Sequence, residues 1–270
     1  MRSAPPAYDG SVLADIVSST LDRISPLQGR LADLKAVCGD LPPARDLAAA
    51  LAAPGLGVIG EIKRRSPSAG PIAPDVDPAA TAAAYVAGGA VAVSVLTEPA
   101  FFDGSLEDLA LARGAVGVPL LRKDFTLCPE QIWEARVAGA DAVLLIVAIL
   151  GDGQLDELVG VAGEAALAAV VEAHDAAEVG RAVAAGAAIL GVNNRDLATF
   201  VTDLSVAERM APLIGRGAIR VAESGVSNPD GARRMAVAGY DAILVGEAAV
   251  RAHDPAGFVS SLIAAAGGPE

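Results

Sequence analysis

A chain of 270 residues, 53% of them hydrophobic, with a mean hydropathy of +0.47, carries enough apolar material for one large core, which excludes a wholly disordered chain. Aromatic residues make up only 3%, so Ala, Val, Leu and Ile must fill that core. A net charge of −13 argues against a general nucleic-acid binder, and any anion site must then rest on a few placed cations and backbone N–H groups.

Residues 1–8 contain no apolar signal core and are expected to fray, as are residues 267–270. Val12, Leu13, Ile16 and Val17, then Leu21 and Ile24, recur at helical spacing. Ser25-Pro26 should break that run, because proline disfavours helix at the residue before it. Leu31, Leu34, Lys35 and Cys38 continue an apolar face, and a further helix is expected over 44–52, ending at Pro54-Gly55. From Leu56 the pattern changes to short apolar runs alternating with Ala-rich helical stretches. Strands are expected at 57–63, 90–96, 119–123, 141–147, 168–172, 189–193, 218–223 and 241–245, with helices between them such as 78–88, 129–139, 175–186 and 229–239. The continuous apolar character of these runs suits parallel strands covered on both faces.

A phrase recurs where helix gives way to strand: Ala87-Gly88-Gly89-Ala90, Ala138-Gly139-Ala140-Asp141, Ala185-Gly186-Ala187-Ala188 and Ala238-Gly239-Tyr240-Asp241. Glycine there ends a helix in the left-handed conformation. Eight such βα units point to a closed (β/α)8 TIM barrel with an N-terminal helical extension. A doubly wound sheet would want Gly-x-Gly-x-x-Gly after its first strand, and none is present. The expected organisation is one domain over 1–270, with the extension over about 10–53 and the barrel over about 56–266. The apolar run 140–150 is too short to span a bilayer and contains Asp141. Cys38 and Cys128 are distant and lack metal-ligand spacing, which fits a reduced cytoplasmic protein.

Active sites of such barrels lie at the C-terminal ends of the strands. The first strand ends Glu61-Ile62-Lys63, the third Arg122-Lys123-Asp124, the fifth Val171-Glu172, the sixth Asn193-Asn194-Arg195, the seventh Glu223-Ser224-Gly225 and the eighth Gly246-Glu247. The chain has three lysines, and two of them, Lys63 and Lys123, sit at these ends. Charges at a barrel mouth are expensive to desolvate unless paired, so their convergence asks for a functional reason. Glu223-Ser224-Gly225 beside Gly246 falls where many barrels hold phosphate through backbone N–H groups. His174 reads as loop or helix-cap structure, Trp133 as helix packing and Cys128 as incidental.

In order along residues 12–262, Glu61-Ile62-Lys63-Arg64-Arg65-Ser66-Pro67-Ser68, Phe101-Phe102-Asp103-Gly104-Ser105-Leu106, Lys123-Asp124-Phe125, Val171-Glu172-Ala173-His174, Asn193-Asn194-Arg195-Asp196-Leu197 and Glu223-Ser224-Gly225-Val226 resemble the indole-3-glycerol phosphate synthases. The N-terminal extension is a further feature of that family. The resemblance implies a lyase of tryptophan biosynthesis. It would close, decarboxylate and dehydrate 1-(2-carboxyphenylamino)-1-deoxyribulose 5-phosphate to indole-3-glycerol phosphate, carbon dioxide and water. It implies Lys123 as general acid, with a pKa that burial can lower toward neutrality. Glu172 and Lys63 would form the second acid–base pair, Lys63 would pair with the substrate carboxylate, and Glu61 would orient a lysine. Asn193, Arg195, Glu223 and Ser224 would hold the substrate and the lysines in register. Ser66, Gly225, Gly246 and Glu247 would cradle the phosphate, and Phe102 and Leu144 would line the slot for the aromatic ring. Glu247 stands where many members carry serine, which a backbone N–H contact to phosphate would tolerate. The chemistry asks for no metal and no cofactor. Beyond the sugar-phosphate substrate no nucleic acid, membrane or obligate protein partner is implied, and a monomer is expected.

Two other readings compete. A phosphoribosylanthranilate isomerase would want a Cys and an Asp at strand ends, but no strand here ends in Cys. A non-catalytic barrel could lose Lys63, Lys123 or Glu172 without penalty, yet all three are present.

Overall fold

The computed structural model describes residues 11–196 and 199–267. The expected fraying of residues 1–8 and 267–270 lies, apart from Gly267, outside the described residues, as does Leu197 of the sixth-strand motif.

Eight parallel strands close on themselves: β1 Gly57–Ile62, β2 Ala92–Leu96, β3 Leu120–Lys123, β4 Ala142–Ile146, β5 Ala168–Ala173, β6 Ile189–Asn193, β7 Ile219–Glu223 and β8 Ala242–Val245. Each pairs with its sequence neighbours, and β1 pairs with both β2 and β8. This is the (β/α)8 barrel expected from the pattern. A two-rung antiparallel ladder, Arg65–Ser66 with Gly70–Pro71, follows β1 and was not legible in the sequence.

Three helices precede the barrel. α1, Val12–Ile24, starts on the Ser11 side chain, which accepts from the Ala14 N–H, and gives way to a 3₁₀ turn at Ser25–Leu27, where Pro26 forbids continuation. α2, Leu31–Cys38, packs on α7, Pro129–Val137, with the Lys35 ammonium 5.0 Å from the Trp133 ring centroid. α3 covers only Leu47–Leu51 instead of 44–52. Arg45 is already committed elsewhere, its N–H to Asp141 and its guanidinium to the Val118 carbonyl, so Asp46 becomes the cap.

The remaining helices wrap the barrel: α4 Pro78–Ala87, α5 Pro99–Phe102, α6 Leu106–Ala115, α8 Asp152–Glu164, α9 Ala176–Ala184, α10 Ser205–Met210, α11 Pro229–Val237, α12 Glu247–Val250 and α13 Pro255–Ala265. Proline stands at the start of α4, α7, α11 and α13, where its missing N–H costs nothing. At the predicted joints Gly89, Gly139, Gly186 and Gly239 all have positive φ, between 75° and 98°. At the N-terminal rim, Asp141 is fully buried and accepts from the N–H groups of Arg45 and Leu120 and from Arg113, which locks that end. The opposite rim is therefore free to carry chemistry.

Candidate active site

Strand alternation decides which side chains enter the mouth. Gly60 faces α4, where an added Cβ would run into the Tyr85 ring, so its neighbour Glu61 turns inward. Lys123 on β3, Glu172 on β5 and Glu223 on β7 do the same. These four come from the odd-numbered strands, the arrangement in which one layer of a barrel interior is filled. Here the uppermost layer is made of charges instead of branched apolar residues. All four side chains are largely buried, with Glu172 4% and Lys123 12% exposed.

The charges pair. Lys123 Nζ donates to Glu172 Oε2 at 2.9 Å and also to Glu223 Oε2. Lys63 Nζ donates to Glu61 Oε1 at 2.7 Å. Asn193 Nδ2 donates to Glu172 Oε1 at 3.1 Å, while its Oδ1 accepts the Arg195 N–H. Glu223 Oε1 is buried and has no hydrogen-bond partner among the described residues. Two glycines make room for this layer. A Cβ on Gly191 would collide with Glu223, and one on Gly246 would collide with Glu61.

The expectation that burial lowers the Lys123 pKa toward neutrality is corrected by these contacts. Burial does push it down, but Glu172, Glu223 and Glu61 together outweigh burial and hold it above the ordinary lysine value. Lys123 is therefore a firm cation in the free protein. Burial also acts to raise the two carboxyls, and their partners split them. Lys123 and His174 drive Glu172 well below the usual carboxylate range. Glu223, penalised by burial and by the neighbouring Glu172 charge, is pushed up to about 7 despite Lys123.

A cavity of about 440 Å³ opens over this layer and is lined by all fourteen residues singled out above. Ser66, Phe102, Leu144, Arg195, Ser224, Gly225, Gly246 and Glu247 complete the set contributed by the strands and their loops. Ser66 is buried after β1, and its Oγ accepts the Ala69 N–H at 3.2 Å. Ser224 and Gly225 both adopt positive φ, 63° and 88°. Asn194 stitches that turn to β6, donating to the carbonyls of Glu223 and Ser224 and accepting from the Ala207 N–H. Its role is to hold the loop, which explains why it is almost fully buried.

Several lining residues were not singled out in the sequence. Val12, Leu13 and Ile16 bring the start of α1 to the cavity, and Phe125 lies beside Phe102 with ring centroids 6.1 Å apart. Arg195 reaches across the mouth to Ser68 Oγ at 2.8 Å. Arg251 also lines the cavity and stands 3.5 Å from Glu247, which offsets that residue's charge. A pairing of one helical turn, Glu247 with Arg251, was a readable signal. His174 is the largest omission. It does lie in the loop after β5, but its ring is wedged between Glu172 and Glu178. Trp133 packs between helices as expected, and Cys128 stands at the N-cap of α7.

Among the described residues no cluster of His, Cys, Asp and Glu could hold a metal ion, and no helix is long and apolar enough to cross a membrane. A family model described as indole-3-glycerol phosphate synthase matches residues 13–262. The indole-3-glycerol phosphate synthase of a Nocardioides species is 48% identical over 251 residues, covering 92% of this chain and 96% of that protein. The one from Streptomyces griseus is 47% identical over 261 residues, covering 96% and 97%. Among solved structures, thiamine phosphate pyrophosphorylase from Pyrococcus furiosus superposes with a TM-score of 0.61 at 18% identity, covering 82% of this chain and 98% of that one, a likeness of fold alone.

Proposed function

The chain belongs to the indole-3-glycerol phosphate synthase family, and from that premise we propose how its own residues carry out the reaction. The enzyme is a carboxy-lyase of tryptophan biosynthesis. It turns 1-(2-carboxyphenylamino)-1-deoxyribulose 5-phosphate into indole-3-glycerol phosphate, carbon dioxide and water.

In ring closure, the aromatic carbon bearing the carboxylate attacks the sugar ketone, and the ketone oxygen becomes an alkoxide. Lys123 donates the proton that quenches it. The observation that carries this reading is the position of Lys123 at the centre of the charged layer, bound to Glu172 and Glu223. Its raised pKa suits an alkoxide, which is basic enough to take a proton from a lysine, although not from the outset a ketone. Loss of carbon dioxide then returns the electron pair to the ring and restores aromaticity. Lys63, held by Glu61, pairs with the departing carboxylate and afterwards donates to the hydroxyl that leaves as water. Glu172, ionised by its neighbours, removes the proton from the adjacent carbon so that the indole double bond forms.

Asn193, Arg195, Glu223 and Ser224 keep the sugar and the lysines in register. The phosphate rests on N–H groups near Gly225 and Gly246, with Ser66 and Glu247 at its edge. Phe102 and Leu144 flank the aromatic ring, joined by Phe125 and the apolar start of α1. The extension and the barrel act as one domain, a reading supported by the bidentate pairing of Arg23 on α1 with Asp124 after β3. We also propose a cytoplasmic monomer that needs no nucleic acid, membrane or protein partner. Support comes from the acidic balance, which disfavours a nucleic-acid surface, and from two cysteines that lack metal-ligand spacing.

Turnover read by indole fluorescence tests the assignment. Lys123→Ala should lose at least ~10²–10⁴-fold in kcat, the contribution of one general acid, while the fold survives. Near-native turnover by that variant would refute the role given to Lys123.

A further inference from the structure

The mechanism above leaves unused a histidine in charge contact with Glu172. The His174 side chain is 12% exposed and approaches Oε1 of Glu172, whereas Lys123 binds Oε2. Its Nδ1 lies 3.0 Å from Glu178 Oε2, and the same carboxylate oxygen accepts the His174 backbone N–H at 2.8 Å. Its Nε2 lies 3.3 Å from Glu172 Oε1, a charge contact without good hydrogen-bond alignment. Both ring nitrogens therefore face a carboxylate. A neutral imidazole would turn a lone pair toward one of them, whereas an imidazolium presents a proton to each.

The reaction gives this charge a purpose. Lys123 is the main cation beside Glu172, and as general acid it becomes neutral during ring closure. At that moment Glu61, Glu172 and Glu223 would share a layer whose central positive charge has gone. A carboxyl in that position tends to capture a proton. Glu172 would then be unable to act as base in the dehydration that follows.

We propose that His174 is a positioning residue whose imidazolium, anchored by Glu178, keeps Glu172 ionised and aimed after Lys123 has given up its proton. The proposal rests on the mechanism assigned above. Glu172 and Glu178 are the charged groups that face the ring, and those on the adjoining elements are engaged elsewhere. Asp175 caps α9, Arg181 on α9 binds Asp152 and the carbonyls of Val147 and Leu150, and Arg195 beyond β6 binds Ser68. Glu172 and Glu178 together outweigh burial and raise the His174 pKa to about 10, so the ring stays charged across the working range. In this arrangement the proton shared by the carboxyl pair resides on Glu223, because Glu172 has two hydrogen-bond donors, Lys123 and Asn193, and the His174 charge beside it, whereas Glu223 has Lys123 alone.

The test uses the full-length enzyme and His174→Gln, which keeps a polar side chain without its charge. Loss of the cation lets the shared proton move onto Glu172 on the acid side of neutrality. The variant-to-wild-type ratio of kcat should fall about tenfold from pH 8.5 to pH 6, with little change in KM. A loss of packing alone would lower kcat equally at every pH, so a constant ratio overturns the proposal. If His174→Gln does not fold, Glu178→Gln serves instead. It removes the anchor of the imidazolium, and its kcat should drop relative to wild type as pH rises from 7 to 9, where a flat ratio again overturns the idea. A third measurement needs no variant. With only two histidines in the chain, nitrogen NMR can assign the rings, and the His174 ring should remain doubly protonated at pH 8. A neutral ring there would sink the proposal. Absence of product from wild type would instead break the mechanism on which it rests, and the ring titration separates that failure from this one.

Discussion

Gly191 is the position where a single methyl group should remove catalysis without touching a charge. It lies on β6, in register with Glu172 on one side and Val221 on the other, and its φ is outside the left-handed region. Alanine is therefore free of backbone strain there. An added Cβ would overlap Glu223 Oε1 outright and stand 3.2 Å from its Cδ and 3.5 Å from Val170 Cγ1. Val170 is fully buried and cannot yield, so the carboxylate must retreat by roughly 1 Å to reach ordinary van der Waals separation. Glu223 Oε2 is bound to Lys123, so that retreat drags the lysine with it or breaks the bond. A displacement of this size can cost ~10²-fold in rate. Gly191→Ala should accordingly lower kcat about 10²-fold in the indole fluorescence assay, with a melting temperature close to that of wild type. Shortening the partner should give relief. In Gly191→Ala with Glu223→Asp, the missing methylene vacates the contested space, and the combined loss should be smaller than the product of the two single losses. Near-native turnover by Gly191→Ala, or strict multiplicativity of the two losses, would refute the claim that Gly191 is there to make room for Glu223.

Removing the Arg23–Asp124 latch should free α1. Asp124 is buried and also accepts from Arg122, Thr97 and its neighbour's N–H, so Asp124→Asn breaks a buried network at a cost of about 3–5 kcal/mol, or roughly 6–20 °C in melting temperature. A melting temperature unchanged by this substitution would show that the extension is held by apolar packing alone. Thermal stability should also depend on pH with a definite sign. The folded His174 pKa, about 10, lies above its unfolded value, so its contribution is complete below about pH 6.5 and is lost as pH rises toward 10. Glu223, raised to about 7, adds a loss in the same direction up to neutrality, whereas Glu172, held low, loses its contribution only as pH falls through the acid range. Melting temperature should thus be highest near pH 4.5, the ordinary glutamate value, below which Glu172 is lost and above which first Glu223 and then His174 are, and His174→Gln should flatten the decline above pH 7. An identical slope in that variant would count against a charged His174.

Much of the fold was legible because two periodic signals agree. The apolar runs gave the strands, and the recurring Ala-Gly joints gave the helix ends, now seen as Gly89, Gly139, Gly186 and Gly239 in the left-handed region. The strand-end charges were legible because Lys is so rare in this chain that two of three at a barrel mouth stand out. What escaped depends on contacts between segments far apart in sequence. Nothing local to Arg23 indicates that it reaches Asp124, and nothing near Arg45 shows that Asp141 will take its N–H and shorten α3. The Lys123 pKa was misjudged for the same reason. Burial is suggested by an apolar run, but the three carboxylates that reverse its effect come from β1, β5 and β7. His174 reads as loop or helix-cap structure from the sequence, and its contact with Glu178, four residues on, fits that local reading. The second partner, Glu172, is only two residues away, and strand pleating gave no hint that both would converge on one ring.

The electrostatics of the mouth resolve a tension present in the composition. A chain of net charge −13 should repel a phosphate- and carboxylate-bearing substrate, and that count takes histidine as neutral and every glutamate as ionised. Both conventions fail at this site, and they fail in the same direction. Burial and the Glu172 charge let Glu223 hold a proton up to about pH 7, and two carboxylates make His174 a cation to about pH 10. Each change leaves the mouth more positive than the composition suggests, and in each a neighbouring carboxylate contributes, beside burial at Glu223 and against it at His174. Adding acidic side chains to this layer therefore draws protons into it instead of simply making it more negative. Meanwhile the surface charges that make up most of the −13 act through water and are screened beyond about 8 Å at physiological ionic strength. The repulsion is diffuse and the attraction is local, so an acidic protein can present Lys63, Lys123, Arg195 and Arg251 to an anion without a basic surface.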